Sequence, residues 1–158
     1  KMVIQGLKYN PLDSTYPDNE IFVSNENIPL QAYKAERHIW DYVVTDSDVE
    51  RKLVEELDGA DEVVVYAKLP DRFQIPTPFG SYNPDWAIAF NKDKVRQIYF
   101  VAETKGSMLD ADLKAREKSK IESAKKFFAT LNQENQSLGD EVQYSVIDSF
   151  GSLMNLVK

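Results

Sequence analysis

The sequence has no cysteine, a single histidine and no long run of apolar residues. The lack of cysteine excludes disulfide bonds and thiolate metal sites, and the lone His38 excludes a cluster of imidazole ligands. No apolar run approaches the roughly 20 residues that a helix needs to cross a bilayer. We therefore expect a protein without a membrane partner, and the absence of cysteine suits a reducing cytoplasm.

Basic charge is also scarce, since the chain carries a net charge of −7 at pH 7. Proteins that bind nucleic acid usually present a basic surface, so this balance taken alone argues against such a partner. The distribution is uneven, however. Residues 1–90 hold 8 basic and 16 acidic side chains, whereas residues 91–126 hold 10 and 6. A local excess of positive charge therefore lies in that second stretch.

From residue 46 onward, apolar residues follow helix-like and strand-like spacings in turn. Ser47 and Glu50 have the spacing of a capping box, and Gly59 is a typical helix stop. The expected elements are, in order, a helix at 47–58, strands at 63–67, 86–90 and 98–102, a helix at about 110–134 and a strand at 142–147. Short turns between the three consecutive strands imply an antiparallel meander, and the second helix allows a parallel crossover to the last strand. We therefore predict an α/β fold with a mixed central sheet flanked by helices.

The first 45 residues show no clear periodicity. Residues 21–23 and 39–44 are candidate short strands, and the proline and asparagine residues between them indicate loops. We assign residues 1–45 as an N-terminal elaboration or as a linker from a preceding domain. Residues 46–158 then form the core domain.

Three charged residues lie at the ends of two neighbouring predicted strands. Asp85 opens the strand at 86–90, and Glu103 and Lys105 end the strand that follows it. Side chains alternate along a strand, so Glu103 and Lys105 point to one face and Thr104 to the other. If the two strands form a hairpin, Asp85 lies near Glu103. Two carboxylates and an ammonium group then converge at one end of the sheet.

Two adjacent buried carboxylates repel each other unless a proton or a cation relieves the conflict. Mg²⁺, with Mn²⁺ as an alternative, suits a site built from Asp85, Glu103 and the backbone carbonyl of Thr104, because it prefers oxygen ligands. Such an ion can polarise a phosphate and acidify a bound water. Lys105 can orient or deprotonate that water, or stabilise developing negative charge. The competing interpretation is a purely structural ion pair at a strand end.

Two further sets of residues are candidates for the same site. Glu50 can act in catalysis by binding a second metal or by holding Lys105, although its capping-box position alone explains a glutamate. Arg116 and Lys120 share one face of the second helix and are candidates for contacts to the phosphates of a nucleic acid. The alternative for these two is a solvated face of mixed charge.

Several stretches of the sequence resemble one nuclease family. Pro84-Asp85 followed by Glu103-Thr104-Lys105 resembles the PD-(D/E)xK motif of restriction-endonuclease-like folds. Wider stretches are similar to the C-terminal endonuclease domain of the restriction (Res) subunit of type III restriction–modification enzymes, namely residues 41–44, 65–70, 73–78, 82–88 and 99–106. This resemblance covers about residues 38–128.

The resemblance implies that residues 46–158 are a PD-(D/E)xK nuclease core that hydrolyses double-stranded DNA with a divalent metal. It also implies helicase-type motor domains in the same polypeptide, a methyltransferase (modification) subunit that recognises the DNA sequence, and a bacterial cytoplasm as the location. The chain has no GxxxxGK[ST] phosphate-binding motif, so ATP would act only through domains outside it. Two alternatives stay open: a catalytically silent nuclease fold that serves as an interaction module, and a repair or junction nuclease of the same fold.

Overall fold

The computed structural model describes residues 32–96, 99–105, 115–134 and 141–158. The elements in these ranges are, in chain order, β1 (Ala32–Lys34), β2 (Tyr42–Val44), α1 (Asp48–Gly59), β3 (Val63–Lys68), β4 (Trp86–Phe90), β5 (Tyr99–Thr104), α2 (Ala115–Glu134), β6 (Val142–Ile147) and α3 (Phe150–Val157). None of the helices described here is both long and apolar enough to cross a membrane.

Four strands form the central sheet in the spatial order β3-β4-β5-β6. β3, β4 and β5 pair antiparallel as a meander, and β6 pairs parallel to β5 after the crossover through α2. Trp86 at the start of β4 lies opposite Ala102 near the end of β5. This register brings the residues just before β4 beside the last residues of β5, and the candidate site lies at this end of the sheet.

Both faces of the sheet are covered, which explains why β5 is apolar at consecutive positions. One face packs against α1, α3 and the β1–β2 hairpin, with Leu53, Trp86 and Phe100 among its fully buried side chains. The other face packs against α2 through residues such as Val101 and Ile121. The sheet therefore separates two hydrophobic layers, and polar side chains at its end are flanked by apolar ones on both sides.

Side chains that accept backbone hydrogen bonds fix the starts of α1 and α3. Ser47 precedes α1 and accepts from the Glu50 N–H at 3.2 Å, as the capping-box pattern predicts. The Glu50 carboxylate does not return to Ser47, since it accepts instead from the Asp46 N–H at 2.8 Å. A complete capping box starts α3, where Ser149 and Ser152 exchange hydrogen bonds with each other's backbone. Glu50 is therefore placed by more than helix capping.

The predicted architecture of helix, antiparallel meander, helix and strand in a mixed sheet is confirmed. The strand predicted at 39–44 is shorter, Tyr42–Val44, because Ile39 instead donates a backbone hydrogen bond to Tyr66 in β3. β1 and α3 are additional elements that the sequence analysis did not predict. The predicted strand at 21–23, residue 98 of the third core strand and residues 110–114 of the predicted helix lie outside the described residues.

The β1–β2 hairpin contributes to the same core as α1, because Val43 is buried together with Leu53 and Val54. Asp58 in α1 holds the adjoining segment by accepting from the N–H groups of Glu36 and Arg37. The described part of residues 1–45 therefore packs closely on the sheet. The division of the chain at residue 45 stays a prediction.

Candidate active site

The residues of the predicted motif meet at the end of the sheet where β4 begins and β5 ends. Asp85 directly precedes β4, and its N–H donates to the Ala102 carbonyl of β5 at 3.1 Å. Its own carbonyl accepts from the Leu69 N–H at 2.7 Å, so the backbone of Asp85 is held from both neighbouring strands. Glu103 is the next residue after Ala102 on β5. The expected proximity of Asp85 and Glu103 is thus a consequence of the β4–β5 register.

The Asp85 carboxylate is fixed by Thr104. Oδ2 of Asp85 accepts from the Thr104 N–H at 2.7 Å and from its hydroxyl at 2.5 Å. Both bonds go to Oδ2, so neither of them occupies Oδ1. Thr104 therefore orients an acidic side chain, while the expected role of its backbone carbonyl as a metal ligand stays a prediction.

Glu103 is a buried residue, and both oxygens of its carboxylate have hydrogen-bond partners. Oε1 contacts the Lys105 ammonium at 2.8 Å, which places both side chains on one face as strand alternation predicts. Oε2 accepts from the Tyr82 hydroxyl at 2.9 Å. That hydroxyl is 2.5 Å from the hydroxyl of Tyr144 in β6, and both tyrosines are buried. A pair of buried phenols thus holds the second oxygen of Glu103.

The Lys105 ammonium contacts two carboxylates. Besides Glu103 it donates to Oε1 of Glu117, in the first turn of α2, at 2.5 Å. Burial lowers the pKa of Lys105, but the hydrogen bonds to Glu103 and Glu117 outweigh burial and raise its pKa to about 12. Lys105 is therefore a cation in this arrangement, which suits charge stabilisation better than the abstraction of a proton.

The two acidic residues of the motif lie in an environment that disfavours their charge. Burial raises the pKa of Asp85, and the charge of Glu50 adds to the rise against the hydrogen bonds from Thr104. Burial also raises the pKa of Glu103, as does the charge of Asp85, and together they outweigh the attraction of Lys105. The repulsion between neighbouring carboxylates that the sequence indicated thus involves a half-buried Asp85 and a buried Glu103, and a divalent cation would relieve it.

Glu50 lies in the first turn of α1, and its hydrogen bonds described here do not involve Lys105. Its Oε2 contacts the ammonium of Lys68, at the end of β3, at 2.9 Å. Lys68 also pairs with Asp46 and donates to the Val44 carbonyl. Burial lowers the pKa of Lys68, and its hydrogen bonds to Asp46 and Glu50 more than reverse this effect. Glu50 therefore influences Asp85 through its charge, while its own hydrogen bonds go to Lys68 and the Asp46 N–H.

Arg116 and Lys120 lie on one face of α2, as predicted, and both contact the loop before β4. Arg116 Nε donates to the Phe79 carbonyl at 3.0 Å, and Lys120 Nζ donates to the Ser81 carbonyl at 2.8 Å. Between these carbonyls Gly80 has φ = 103°, a backbone conformation that glycine adopts readily. The two basic residues thus fasten this loop to α2, and their contacts to DNA stay a prediction.

Four side chains of the site have no role in the sequence-based prediction: Lys68, Tyr82, Glu117 and Tyr144. Tyr82 and Lys68 do occur in the stretches that resemble the nuclease family, which is the only signal that pointed towards them. Glu117 lies in a run of alternating charges, where no single acidic residue stands out. Their contacts join distant segments of the chain, which local patterns do not report.

The donor set fits a small divalent cation that prefers oxygen. No group of three or more aspartate, glutamate, histidine or cysteine side chains in the described ranges is arranged as a metal-binding cluster. Asp85 and Glu103 supply two carboxylates, and Mg²⁺ commonly binds through one or two carboxylates together with waters and substrate phosphates. Each carboxylate oxygen has more than one acceptor position, so the hydrogen bonds from Thr104, Lys105 and Tyr82 leave capacity for a ligand.

A comparison with protein families agrees with this geometry. A family model for an endonuclease domain matches residues 36–150, a range that contains every residue of the site described above. No curated protein and no solved structure matches the chain. The matched range is well over half of the 158 residues. The chain therefore belongs to the endonuclease domain family, and its mixed sheet with flanking helices is a restriction-endonuclease-like fold.

Proposed function

We propose that this domain hydrolyses phosphodiester bonds of double-stranded DNA with the help of Mg²⁺ or Mn²⁺. The observation that carries the proposal is the convergence of Asp85, Glu103 and Lys105 at one end of the sheet. Two carboxylates and one lysine suit metal-assisted phosphate hydrolysis, because they offer ligands for a cation and a positive charge for the phosphate. The family match to an endonuclease domain supports the same reaction class.

Asp85 and Glu103 would hold the divalent cation. When bound, the cation would supply charge that polarises the scissile phosphate and acidifies a water molecule. Thr104 prevents Asp85 from turning away, because two hydrogen bonds hold Oδ2. Tyr82 does the same for Glu103 by donating to Oε2. The two carboxylates are thus oriented before any ligand arrives, which is the property expected of a preorganised site.

Lys105 would stabilise the negative charge that grows on the phosphate oxygens as water attacks phosphorus and the bond to the leaving oxygen breaks. Its ammonium is charged and lies 2.8 Å from Glu103, so it points into the region that the carboxylates define. Removing one donor of this kind from other enzymes typically costs about 100- to 1,000-fold in kcat. We expect a loss of that order for Lys105→Ala.

Glu50 would act at a distance from the ion. Its charge disfavours the ionised form of Asp85, and its pairing with Lys68 keeps that charge in a fixed position. We propose that Glu50 and Lys68 tune the acidity of Asp85 and form the α1 side of the site. The alternative role for Glu50 is that of a ligand to a second metal ion.

We further propose that the domain is the cleavage module of a larger ATP-dependent enzyme, the Res subunit of a bacterial type III restriction–modification system in the cytoplasm. The support is the resemblance of residues 82–88 and 99–106 to that family. Helicase-type motor domains of the same polypeptide would use ATP, and a methyltransferase subunit would choose the DNA sequence. Arg116 and Lys120 would then contact DNA phosphates from α2, next to the loop that they hold.

Cleavage of supercoiled plasmid tests the proposed activity. The wild-type chain would be compared with Asp85→Ala and Lys105→Ala in Mg²⁺, in Mn²⁺ and with a chelator. Lys125→Ala is the matched control, because Lys125 is an exposed lysine of α2 that pairs only locally with Glu122 in the described structure. Nicking that requires the metal and is lost in the two site variants but not in the control is the expected result.

If the chain alone does not cut, the same substitutions would be tested in the longer polypeptide with its methyltransferase partner and ATP. Cleavage there that survives both Asp85→Ala and Lys105→Ala would refute the assignment of the site. It would leave the alternative that this domain is a catalytically silent interaction module, and another part of the assembly would have to cut the DNA.

A further inference from the structure

Glu117 lies against the site lysine and comes from a different element than the other site residues. Lys105 Nζ contacts Oε1 of Glu117 in the first turn of α2 and Oε1 of Glu103 at the end of β5. One ammonium group thus faces two carboxylates, so negative charge exceeds positive charge around it. The carboxylate of Asp85 raises the pKa of Glu103 through its charge, so it lies close enough to add to this excess of negative charge.

The two carboxylates on Lys105 differ in how firmly they are held. The Glu103 side chain is 8% exposed, belongs to a central strand and is fixed at its other oxygen by Tyr82. The Glu117 side chain is 37% exposed and begins a helix at the surface. Water or an incoming anion can therefore replace Glu117 on Lys105 at a lower cost than Glu103, because exposed ion pairs contribute little net stability.

A phosphate oxygen of DNA is chemically close to the carboxylate oxygen that Lys105 now contacts. Both are anionic acceptors that form short, charge-assisted hydrogen bonds with an ammonium group. A phosphate that binds Lys105 beside both carboxylates adds a third anion around one ammonium charge, so its binding is favoured when one carboxylate is displaced. Of the two, Glu117 is the one whose removal leaves the Asp85–Glu103 pair intact.

We propose that Glu117 occupies the place of a DNA phosphate oxygen on Lys105 and is displaced when the scissile phosphate binds. Glu117 is thus a positioning residue, since it acts through Lys105: it keeps the ammonium aimed at the site in the free protein and competes with DNA for it. The inference rests on the proposed function, because it names the contact that the substrate takes over. The ordinary explanation for Glu117 is an acidic residue that favours a helix start, for which contact with Lys105 is incidental.

The two explanations predict gains of different size in DNA affinity when Glu117 is neutralised, compared with another acidic residue of α2. Glu117→Gln keeps the length of the side chain and removes its charge. If Glu117 competes with phosphate, this variant binds DNA more tightly, by about three- to fivefold, a size typical of one partly exposed ion pair. If Glu117 serves only the helix, the variant is less stable and its DNA affinity follows that of any other neutralised acidic residue on α2.

The test measures the dissociation constant for a short fluorescent DNA duplex in Ca²⁺, which accepts oxygen ligands as Mg²⁺ does. Glu122→Gln is the matched control, because Glu122 lies on the same helix and pairs with the exposed Lys125. The same two substitutions are repeated in a Lys105→Met background. With Mg²⁺, cleavage kinetics then separate KM, which should fall for Glu117→Gln, from kcat, which should stay within about twofold.

The expected result is a gain in affinity for Glu117→Gln that exceeds the gain for Glu122→Gln and shrinks to the control value once Lys105 is replaced. Equal effects of the two substitutions, or a gain that persists without Lys105, would overturn the proposal while leaving the nuclease assignment untouched. If the wild type neither binds nor cuts DNA in any setting, the proposed function fails and this inference fails with it.

Discussion

Replacing Tyr82 by phenylalanine removes one hydroxyl group from the buried network beside Glu103. That hydroxyl donates to Oε2 of Glu103 at 2.9 Å and lies 2.5 Å from the hydroxyl of Tyr144. The aromatic ring remains in the variant, so the edge-on packing of the two rings at 6.3 Å is retained. The substitution therefore isolates what the hydroxyl contributes to holding the carboxylate.

The expected size of the effect follows from the charge and burial of the acceptor. A hydrogen bond to a charged group contributes about 1.5 to 3 kcal/mol. Glu103 is almost inaccessible, so water replaces the lost donor poorly, although the Tyr144 hydroxyl can turn to compensate in part. We expect the free energy of unfolding to fall by about 1.5 kcal/mol. A similar loss in the orientation of Glu103 would lower kcat/KM about tenfold.

Urea denaturation and metal-dependent DNA cleavage would measure the two effects on the same preparations. Tyr144→Phe is the first control. Tyr144 contacts Tyr82 but has no direct hydrogen bond to Glu103 among the contacts described, so this substitution should lower cleavage less than Tyr82→Phe does. Tyr42→Phe is the second, because Tyr42 is 40% exposed and should be neutral. Wild-type stability and cleavage in Tyr82→Phe would show that the hydroxyl does not hold Glu103.

Three further substitutions test other parts of the structure. Lys68→Met leaves the buried Glu50 carboxylate without its cation. It should lower the free energy of unfolding, measured by calorimetric melting, by about 1 to 2 kcal/mol. This is less than for a fully buried pair, because the Lys68 side chain is 23% exposed. Gly80→Ala introduces a side chain at φ = 103° and should cost about 1 kcal/mol in urea denaturation, whereas Gly59→Ala, with open space around it, should be neutral. Burial lowers the pKa of His38 in the folded state, so the unfolded chain binds the proton first, and stability should fall as pH drops below 6.5. His38→Gln should remove that part of the pH dependence, and an unchanged stability-against-pH profile would contradict it.

The arrangement of the central sheet could be predicted because its signals are local. Turns between consecutive apolar strands fixed the antiparallel meander, and that pairing alone brings Asp85 beside Glu103. Strand alternation likewise predicts that Glu103 and Lys105 share a face, which their ion pair shows. The proximity of Asp85, Glu103 and Lys105 could therefore be predicted from the sequence.

The partners of these residues were not predictable in the same way. Tyr82 and Tyr144 are separated by 62 positions, and Lys68 and Glu50 by 18, so their contacts depend on how distant segments pack. The loop contacts of Arg116 and Lys120 were likewise not predicted, because charge alone does not show which cation binds a loop carbonyl, and their contacts to phosphates stay a prediction. In the structure both donate to the loop before β4.

The final helix is a different case, since its signals are present in the sequence. Ser149 precedes the run and Leu153, Met154 and Val157 recur at helical spacing, which places all three in the core. The segment has only 8 residues, too few for a helix to be stable by itself, so its packing against the sheet must supply the stability. In so short a helix the spacing of the apolar residues repeats only once or twice, so this spacing alone indicates the helix weakly.

The central claim is tested most directly by measuring Mn²⁺ binding and DNA cleavage together. The proteins to compare are the wild type, Asp85→Asn and Lys105→Met. If Asp85 holds the cation, Asp85→Asn loses both metal binding, measured by calorimetry, and cleavage. If Lys105 stabilises the phosphate, Lys105→Met still binds the metal, but its cleavage rate falls by about 100-fold or more. Metal-dependent cleavage at the wild-type rate in either variant would contradict the assignment of this site.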